Sequence, residues 1–501
     1  MIPEILNKLS IDFNLTTDKI ISWFTYDPAN PLLFSSALFL GFFIVFYLIY
    51  IITKKHIYFR NVYVLLFSLF FYYKAGGLYF ILLIFSCIAN YLITMAMDKT
   101  EDKKHRKIYL IFIICINLFL LGYFKYTNFF IDNLNTIFNT NFALQNIILP
   151  IGISFFTFQA ISYAVDLYKK EIKPSDSLLE FSFYLCFFPQ LVAGPIVRAK
   201  DFLPQIRKNV SLSKKNASIA LFMILSGLVK KAIISDYISL NFVDRIFDSP
   251  LNFTSFENLM AVYGYALQIY CDFSGYSDMA IGLALLMGFV LPQNFNNPYK
   301  ATSLADFWRR WHISLSTWLR DYLYIPMGGN RKGKLRTYFN LMMTMLIGGL
   351  WHGASWKFVV WGGLHGTALA IERFLKQFIK IPSNYFTNLV CTLLTFHFVI
   401  FCWIFFRAAS FNDAELIISQ ISNLTFNLED WRAIIDGYKN VFILIFIGFA
   451  LHFCPQAITC KVKYGFEKTP LIGKAIIVGF IFWLVYATAS SGTQPFIYFQ
   501  F

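Results

Sequence analysis

Long apolar runs separated by short polar breaks dominate this chain. They cover 32–52, 78–97, 108–124, 145–167, 217–235, 259–291, 338–361, 388–406, 440–454 and 471–490. Most approach or exceed the roughly 20 residues that a helix needs to cross about 30 Å of hydrocarbon. Segments 62–73 and 178–195 are shorter or are interrupted by Gly, Pro or a charge, and they read as short, tilted or re-entrant pieces. The pattern predicts an all-α multi-pass membrane protein with about eleven passes. Residues 1–30 are polar and weakly amphipathic. The apolar run after them is too long for a signal core and no small-residue cleavage site follows it, so it reads as a retained anchor.

Composition supports the same picture. The 501 residues are 57% hydrophobic and 20% aromatic, with only 14% charged, against about 25% charged in an ordinary soluble domain. This argues against a large soluble enzyme. The net charge of +15 would suit a nucleic-acid partner if the basic residues were spread over a soluble surface. They are clustered in loops instead. Lys54, Lys55 and Arg60 form one group, Lys99, Lys103, Lys104, Arg106 and Lys107 a second, and Lys169, Lys170 and Lys173 a third. Arg198, Lys200, Arg207, Lys208, Lys214 and Lys215 follow, while 126–143 and 242–258 are poor in base. Under the positive-inside rule the basic loops belong in the cytoplasm and the N-terminus outside. The partner is the lipid bilayer, and no nucleic acid is expected. The eight cysteines are scattered and form no CxxC pair. They read as small hydrophobes, and no metal site is expected.

One ionisable group lies deep in an apolar run. In "GGLWHGASW", 348–356, His352 sits among glycines and tryptophans. Read as one helix, 338–361 spans roughly 36 Å and places His352 roughly 21 Å from its basic end. An ionisable residue at that depth marks function by default. Helical side chains lean toward the N-terminus, so the ring should cover Gly348 and Gly349, an open shelf bounded by Trp356 at i+4. Two structural readings stay open beside this one. The glycines would also permit close helix packing, and the histidine would serve as an interhelical hydrogen-bond partner. Chemically, a neutral imidazole with a reference pKa near 6.5 can take the proton of a hydroxyl that attacks an acyl group.

Segment 304–334 reads as an interfacial amphipathic helix. Trp308, Trp311, His312, Leu315, Leu319 and Tyr322 fall on one face, with Arg309, Arg310, Ser316, Arg320 and Asp321 on the rest. Pro326 and a Gly-Gly-Asn turn end it, before Arg331, Lys332, Lys334 and Arg336. These bases suit topology and headgroup contact, or the landing of an anionic cytosolic acyl donor. In "QIYCDFSGYSDMAIG", 268–282, Asp272 and Asp278 interrupt an apolar segment, and Ser274–Gly275 suggests a local break. The carboxylates are candidates to orient a histidine, pair an arginine or bind a cation. His365, in "GGLHG", is a further candidate orienting partner.

These blocks resemble the membrane-bound O-acyltransferase family, and most closely its bacterial branch, typified by the alginate O-acetylation membrane protein. The resemblance rests on "LLFSSALFLGFFIVFYLIY" (32–50), "FFPQLVAGPIVR" (187–198), "QIYCDFSGYSDMAIG", "DFWRRWHISLSTWLRDYLYIPMGGNRKG" (306–333) and "GGLWHGASWKFVVWGGLHG" (348–366). It runs from 32 to about 407. It implies a ring of tilted helices around a central tunnel, with an extension at 1–30, a core at 31–407 and completing helices at 408–501. It implies that His352 is catalytic and His312 a second active-site residue. Trp308, Trp351 and Trp356 are then expected as tunnel walls beside Gly348, Gly349 and Asp272, with Arg309, Arg310, Arg320 and Arg331 toward the donor. No permanently bound cofactor is expected. Acetyl-CoA is the expected co-substrate, delivered for an extracytoplasmic polysaccharide or a periplasmic or surface acetyltransferase, in the bacterial cytoplasmic membrane. D-alanyl transfer from a carrier protein to teichoic acid is the alternative within the class. A polysaccharide or lipid flippase and a non-catalytic scaffold are the alternatives outside it.

Overall fold

In a computed structural model, which describes residues 17–379, 382–423 and 427–488, every regular element is a helix. The chain runs α1 Thr17–Phe24, α2 Ala37–Thr53, α3 Ile57–Gly76, α4 Phe80–Lys99, α5 Lys103–Phe138, α6 Ile153–Tyr168, α7 Leu178–Cys186, α8 Phe188–Leu191 and α9 Ala199–Ile206. Helix α10, Lys214–Leu228, continues through π-helical turns at Val229–Ser235 and Ser239–Val243 as far as Asp248. Then come α11 Ser255–Leu286, α12 Leu304–Arg310, α13 Ile313–Leu319, α14 Lys334–His352, α15 Trp356–Leu375 and α16 Tyr385–Arg407. The last are α17 Phe411–Ser422, α18 Leu428–Gly437, α19 Lys439–Phe453, α20 Gln456–Lys468 and α21 Leu471–Thr488.

Five helical stretches among the described residues are long and apolar enough to cross a membrane: Ile57–Lys99, Lys103–Phe138, Lys214–Asp248, Tyr385–Arg407 and Leu471–Thr488. A sixth appears if α18 and α19, bent by 90° at their junction, are taken together. The expected count of about eleven also takes in helices that are too short or too polar for this test of length and composition. Helix α11 shows the difference. From Gly264 to Ser277 every residue is buried in protein, so the helix carries Gln268, Asp272, Ser274 and Ser277 where a lipid-facing helix would carry Leu.

The basic loops meet at one end of the helices. Arg60 donates to the carbonyls of Lys208 (2.7 Å) and Ile206, Arg106 to those of Met97 (3.1 Å) and Leu167 (3.2 Å), and Lys300 to that of Cys454 (2.7 Å). Arg207 donates to both oxygens of Glu180. At the other end Tyr72 donates to Ile151 O (2.7 Å) and Lys357 to Ala408 O (2.8 Å). Segment 178–195 does turn back inside the protein. Helices α7 and α8 break at Phe187, Gln190 donates to Tyr184 O and Tyr184 to Val197 O. Of the N-terminal extension, α1 rests its Phe24 against Phe42 and Phe70. Residues 1–16, and 489–501 at the other terminus, lie outside the described residues.

Helix α11 is continuous through Ser274–Gly275, where a break was expected. The small residues serve close approach instead. A Cβ on Gly275 would lie 2.8 Å from Gly227 O, and one on Gly227 would lie 2.4 Å from Gly275 O. Backbone contact of this kind is how membrane helices pack without a hydrophobic driving force between them. Asp272 takes a lysine where a histidine or an arginine was expected. It pairs with Lys231 at 2.5 Å, and Lys231 also reaches Asp236 at 2.8 Å. Asp278 takes the neighbouring Lys230 at 2.7 Å. The two carboxylates, six residues apart on α11, thus pin the first π turn.

Candidate active site

Segment 338–361 is two helices rather than one. Helix α14 ends at His352, Gly353 is extended (φ −163°), and α15 starts at Trp356 and runs back antiparallel. The helix ends because three successive carbonyls find partners on α5. Tyr126 donates to Leu350 O (2.7 Å), and Lys125 donates to Trp351 O (2.6 Å) and His352 O (3.0 Å). His352 therefore occupies a helix terminus. Its ring is 3% exposed and lies 5.1 Å from Trp351, 5.1 Å from Trp361 and 5.3 Å from Phe406, centroid to centroid.

The break corrects two expectations. The glycines before His352 do not form an open shelf. A Cβ on Gly349 would lie 2.2 Å from Phe358 O and 3.2 Å from the Gly362 Cα, and one on Gly348 would lie 3.1 Å from Leu319 Cδ1. The returning α15 backbone fills the space, so Gly349 serves helix packing. Trp356 does not share the histidine's face, because the helix that would have placed it there has already stopped. It is 53% exposed, lies tilted against Phe129 (5.8 Å, 57°) and donates to Asn133. Gly349→Ala is expected to force α14 and α15 apart at a cost of about 1–3 kcal/mol. Gly348→Ala displaces only the end of a leucine and should cost less. Thermal unfolding of the two variants in detergent orders them; equal midpoints would contradict the packing.

His312 also stands at a break. The expected amphipathic helix is split into α12 and α13, with His312 between them in left-handed conformation (φ 41°) and fully buried. Such backbone strain, of order 1–3 kcal/mol, persists only where the surroundings over-determine it. Here Ile313 N donates to Asn294 O (2.9 Å) and Asn296 N to Arg310 O (2.9 Å). The imidazole lies 4.6 Å from Phe273 and 6.0 Å from Trp351. Neither ring nitrogen has a hydrogen-bond partner among the described residues. Both histidines thus touch Trp351, His312 at 6.0 Å and His352 at 5.1 Å.

A pocket of about 530 Å³, mouth included, reaches this point from the end opposite the basic loops. Its walls include Lys125, Pro150, Gly152, Ser154, Trp351 and His352. Below it Trp351 stacks on Phe158 (5.4 Å), and Phe158 stacks on Trp318 at 3.7 Å and 6°. On the other side of His352, Trp361 leads to His365 (4.8 Å) and Trp308 (5.7 Å). His365 orients nothing here, since neither of its nitrogens has a hydrogen-bond partner among the described residues. The arginines sit at the basic end. Arg309 and Arg310 pair with Asp306 at 3.5 and 2.8 Å, and Arg320 pairs with Asp321 at 2.8 Å. Arg331 is exposed. Three of the four expected donor-binding cations thus already have carboxylates.

The structure adds Lys125, Trp361 and Phe406 to the neighbourhood of His352. Trp361 lies in a block already singled out. Lys125 carried a signal that went unread: a lone cation in "YFKYTNFF" directly after an apolar run. A base in a dry aromatic cage, open to one side, can deprotonate a hydroxyl while limiting competing hydrolysis.

Comparison with known proteins agrees with this chemistry. The model of the MBOAT, membrane-bound O-acyltransferase, family matches residues 98–447. A peptidoglycan O-acetyltransferase of Helicobacter pylori is 38% identical over 423 residues, 78% of this chain and 80% of that protein. A probable alginate O-acetylase AlgI of Pseudomonas aeruginosa is 40% identical over 389 residues, 76% of this chain and 73% of its own. A teichoic acid D-alanyltransferase of Bacillus subtilis is 30% identical over 286 residues, 54% of this chain and 71% of its own.

Proposed function

Because the chain belongs to the membrane-bound O-acyltransferase family and is a multi-pass membrane O-acyltransferase, we propose that it O-acetylates an extracytoplasmic polysaccharide with His352 as the general base. The observation that carries this is the placement of His352 in the wall of a pocket that it shares with Lys125, Ser154 and Trp351. The acceptor hydroxyl loses its proton to the imidazole as its oxygen attacks the thioester carbonyl. The carbon–sulfur bond breaks, and the imidazolium returns the proton to the departing thiolate. His312, buried and strained on the other side of Trp351, positions or polarises the acyl group. Acetyl-CoA approaches from the basic end, where Arg331, Lys332 and Arg336 supply charge for its phosphates. That end lies in the cytoplasm of a bacterial cell and the N-terminus outside. The product leaves as an acetyl ester on the glycan, directly or through a periplasmic or surface acetyltransferase.

The O-acetylating relatives are matched over 76% and 78% of this chain and the D-alanyl one over 54%, which favours acetyl. Purified protein in nanodiscs is expected to release thiol from acetyl-CoA when envelope glycan is added. Turnover seen only with a D-alanyl carrier protein would replace acetyl by D-alanyl.

A further inference from the structure

The end of an α-helix leaves its last four carbonyls without intrahelical donors. Exposed to water they are hydrated; at membrane depth they need protein donors. The usual internal solution is a C-terminal glycine in left-handed conformation, whose amide turns back on the last turn. Helix α14 does not use it, since Gly353 is extended. Its donors come from α5, more than two hundred positions away in sequence. Tyr126 takes Leu350 O, and one ammonium takes both Trp351 O and His352 O.

Lys125 is an unusual choice for that work. A cation inside a membrane protein is costly and normally sits beside a carboxylate, and none pairs with Lys125 among the described residues. Its compensation is the negative end of the α14 dipole and the face of Trp351, 5.8 Å from the ammonium. The same side chain lines the pocket that His352 lines. A neutral donor such as the neighbouring tyrosine could cap one carbonyl. An ammonium with three N–H groups can hold two successive ones, and so fix the orientation of the final peptide and of the side chain it carries. Terminal residues of a helix otherwise fray.

We propose that Lys125 is a positioning residue for His352: by clamping the last two carbonyls of α14 it fixes the imidazole toward the pocket. This rests on the reading of His352 as the base. Three nanodisc preparations test it, each assayed with acetyl-CoA as donor and envelope glycan as acceptor. Lys125→Met keeps the stem and removes the donors. It is expected to lower kcat about 10- to 100-fold, the scale of an ångström-sized misplacement of a catalytic group, with KM for acetyl-CoA changed less than about threefold. Lys125→Arg restores a cation with several donors and should recover most of kcat. His352→Ala separates the two claims. If His352→Ala is inactive and Lys125→Met keeps the wild-type kcat, the positioning role is wrong and the base stands. If Lys125→Met loses activity only in step with a fall in thermal midpoint, and Lys125→Arg fails to recover it, Lys125 is merely structural. If His352→Ala itself retains activity, the base assignment falls and this role falls with it.

Discussion

Cells whose only copy of the protein carries His352→Ala are expected to lose ester-linked acetyl groups from their envelope, because the rate of transfer should fall about 10²- to 10⁴-fold, the usual contribution of a positioned base. The expectation follows from what surrounds the ring. Trp351, Trp361 and Phe406 offer no side chain able to take a proton. Lys125, the nearest cation on the pocket wall, is occupied with backbone carbonyls. The other imidazole near this point, His312, lies on the far side of Trp351, so it is not expected to take over the role of His352. Alanine also empties part of a packed aromatic cage, so some loss of stability accompanies it. His352→Gln fills the space and keeps hydrogen-bonding atoms, but cannot accept the proton at neutral pH. It should be as inactive as alanine and more stable. Acetyl released from the envelope by mild base, together with the amount of protein in the membrane, is the measurement. Unchanged acetyl in either variant would sink the assignment of the base, and so would a flippase or scaffold that works without it.

Asp272→Ala is expected to be the most damaging change outside the pocket. Lys231 is almost wholly enclosed, with its side chain 4% exposed, and its two carboxylate partners are Asp272 and Asp236. Removing one partner of a buried pair costs about 3–5 kcal/mol, since the remaining charge is left undercompensated. The protein should largely disappear from the membrane. Replacing the whole triad by apolar residues (Lys231→Met, Asp236→Leu and Asp272→Leu) removes the stranded charge together with its partners and should restore much of the folded protein. The triple variant also tests function. If Asp272 served only to pin the π turn, the refilled protein transfers acyl groups. A triple variant that is folded, abundant and inactive would return Asp272 to the chemistry.

What could be read from the sequence follows from which properties are additive along a chain. Membrane character is a sum over runs, so it survives local irregularity, and the depth of His352 in an apolar run was visible at once. Breaks are different. Gly353 is extended and His312 left-handed because of bonds to other elements, from Lys125 to the α14 carbonyls and from Ile313 to Asn294. Neither residue type announces its conformation. The helix drawn through 338–361 carried Trp356 onto the wrong side for that reason. Gly349 was ambiguous from the start, since a missing side chain makes room for a ligand or for another backbone, and only the position of Phe358 decides. The resemblance to acyltransferases placed His312 beside His352 in role. The contact each makes with Trp351 is a tertiary fact that no spacing of forty residues contains.

The three stacked rings of Trp351, Phe158 and Trp318 have an electrical meaning. On the proposed reading the protein admits a polar substrate from one aqueous phase and a charged donor from the other, which would bring it close to being a pore. Between the inner end of the pocket and the basic face stands an aromatic column locked by the bond from Trp318 to Phe158 O (2.9 Å). Bare ions do not enter such a medium without several kcal/mol of lost hydration. On that reading the column is expected to let a cell keep its membrane potential while this enzyme works in the same bilayer.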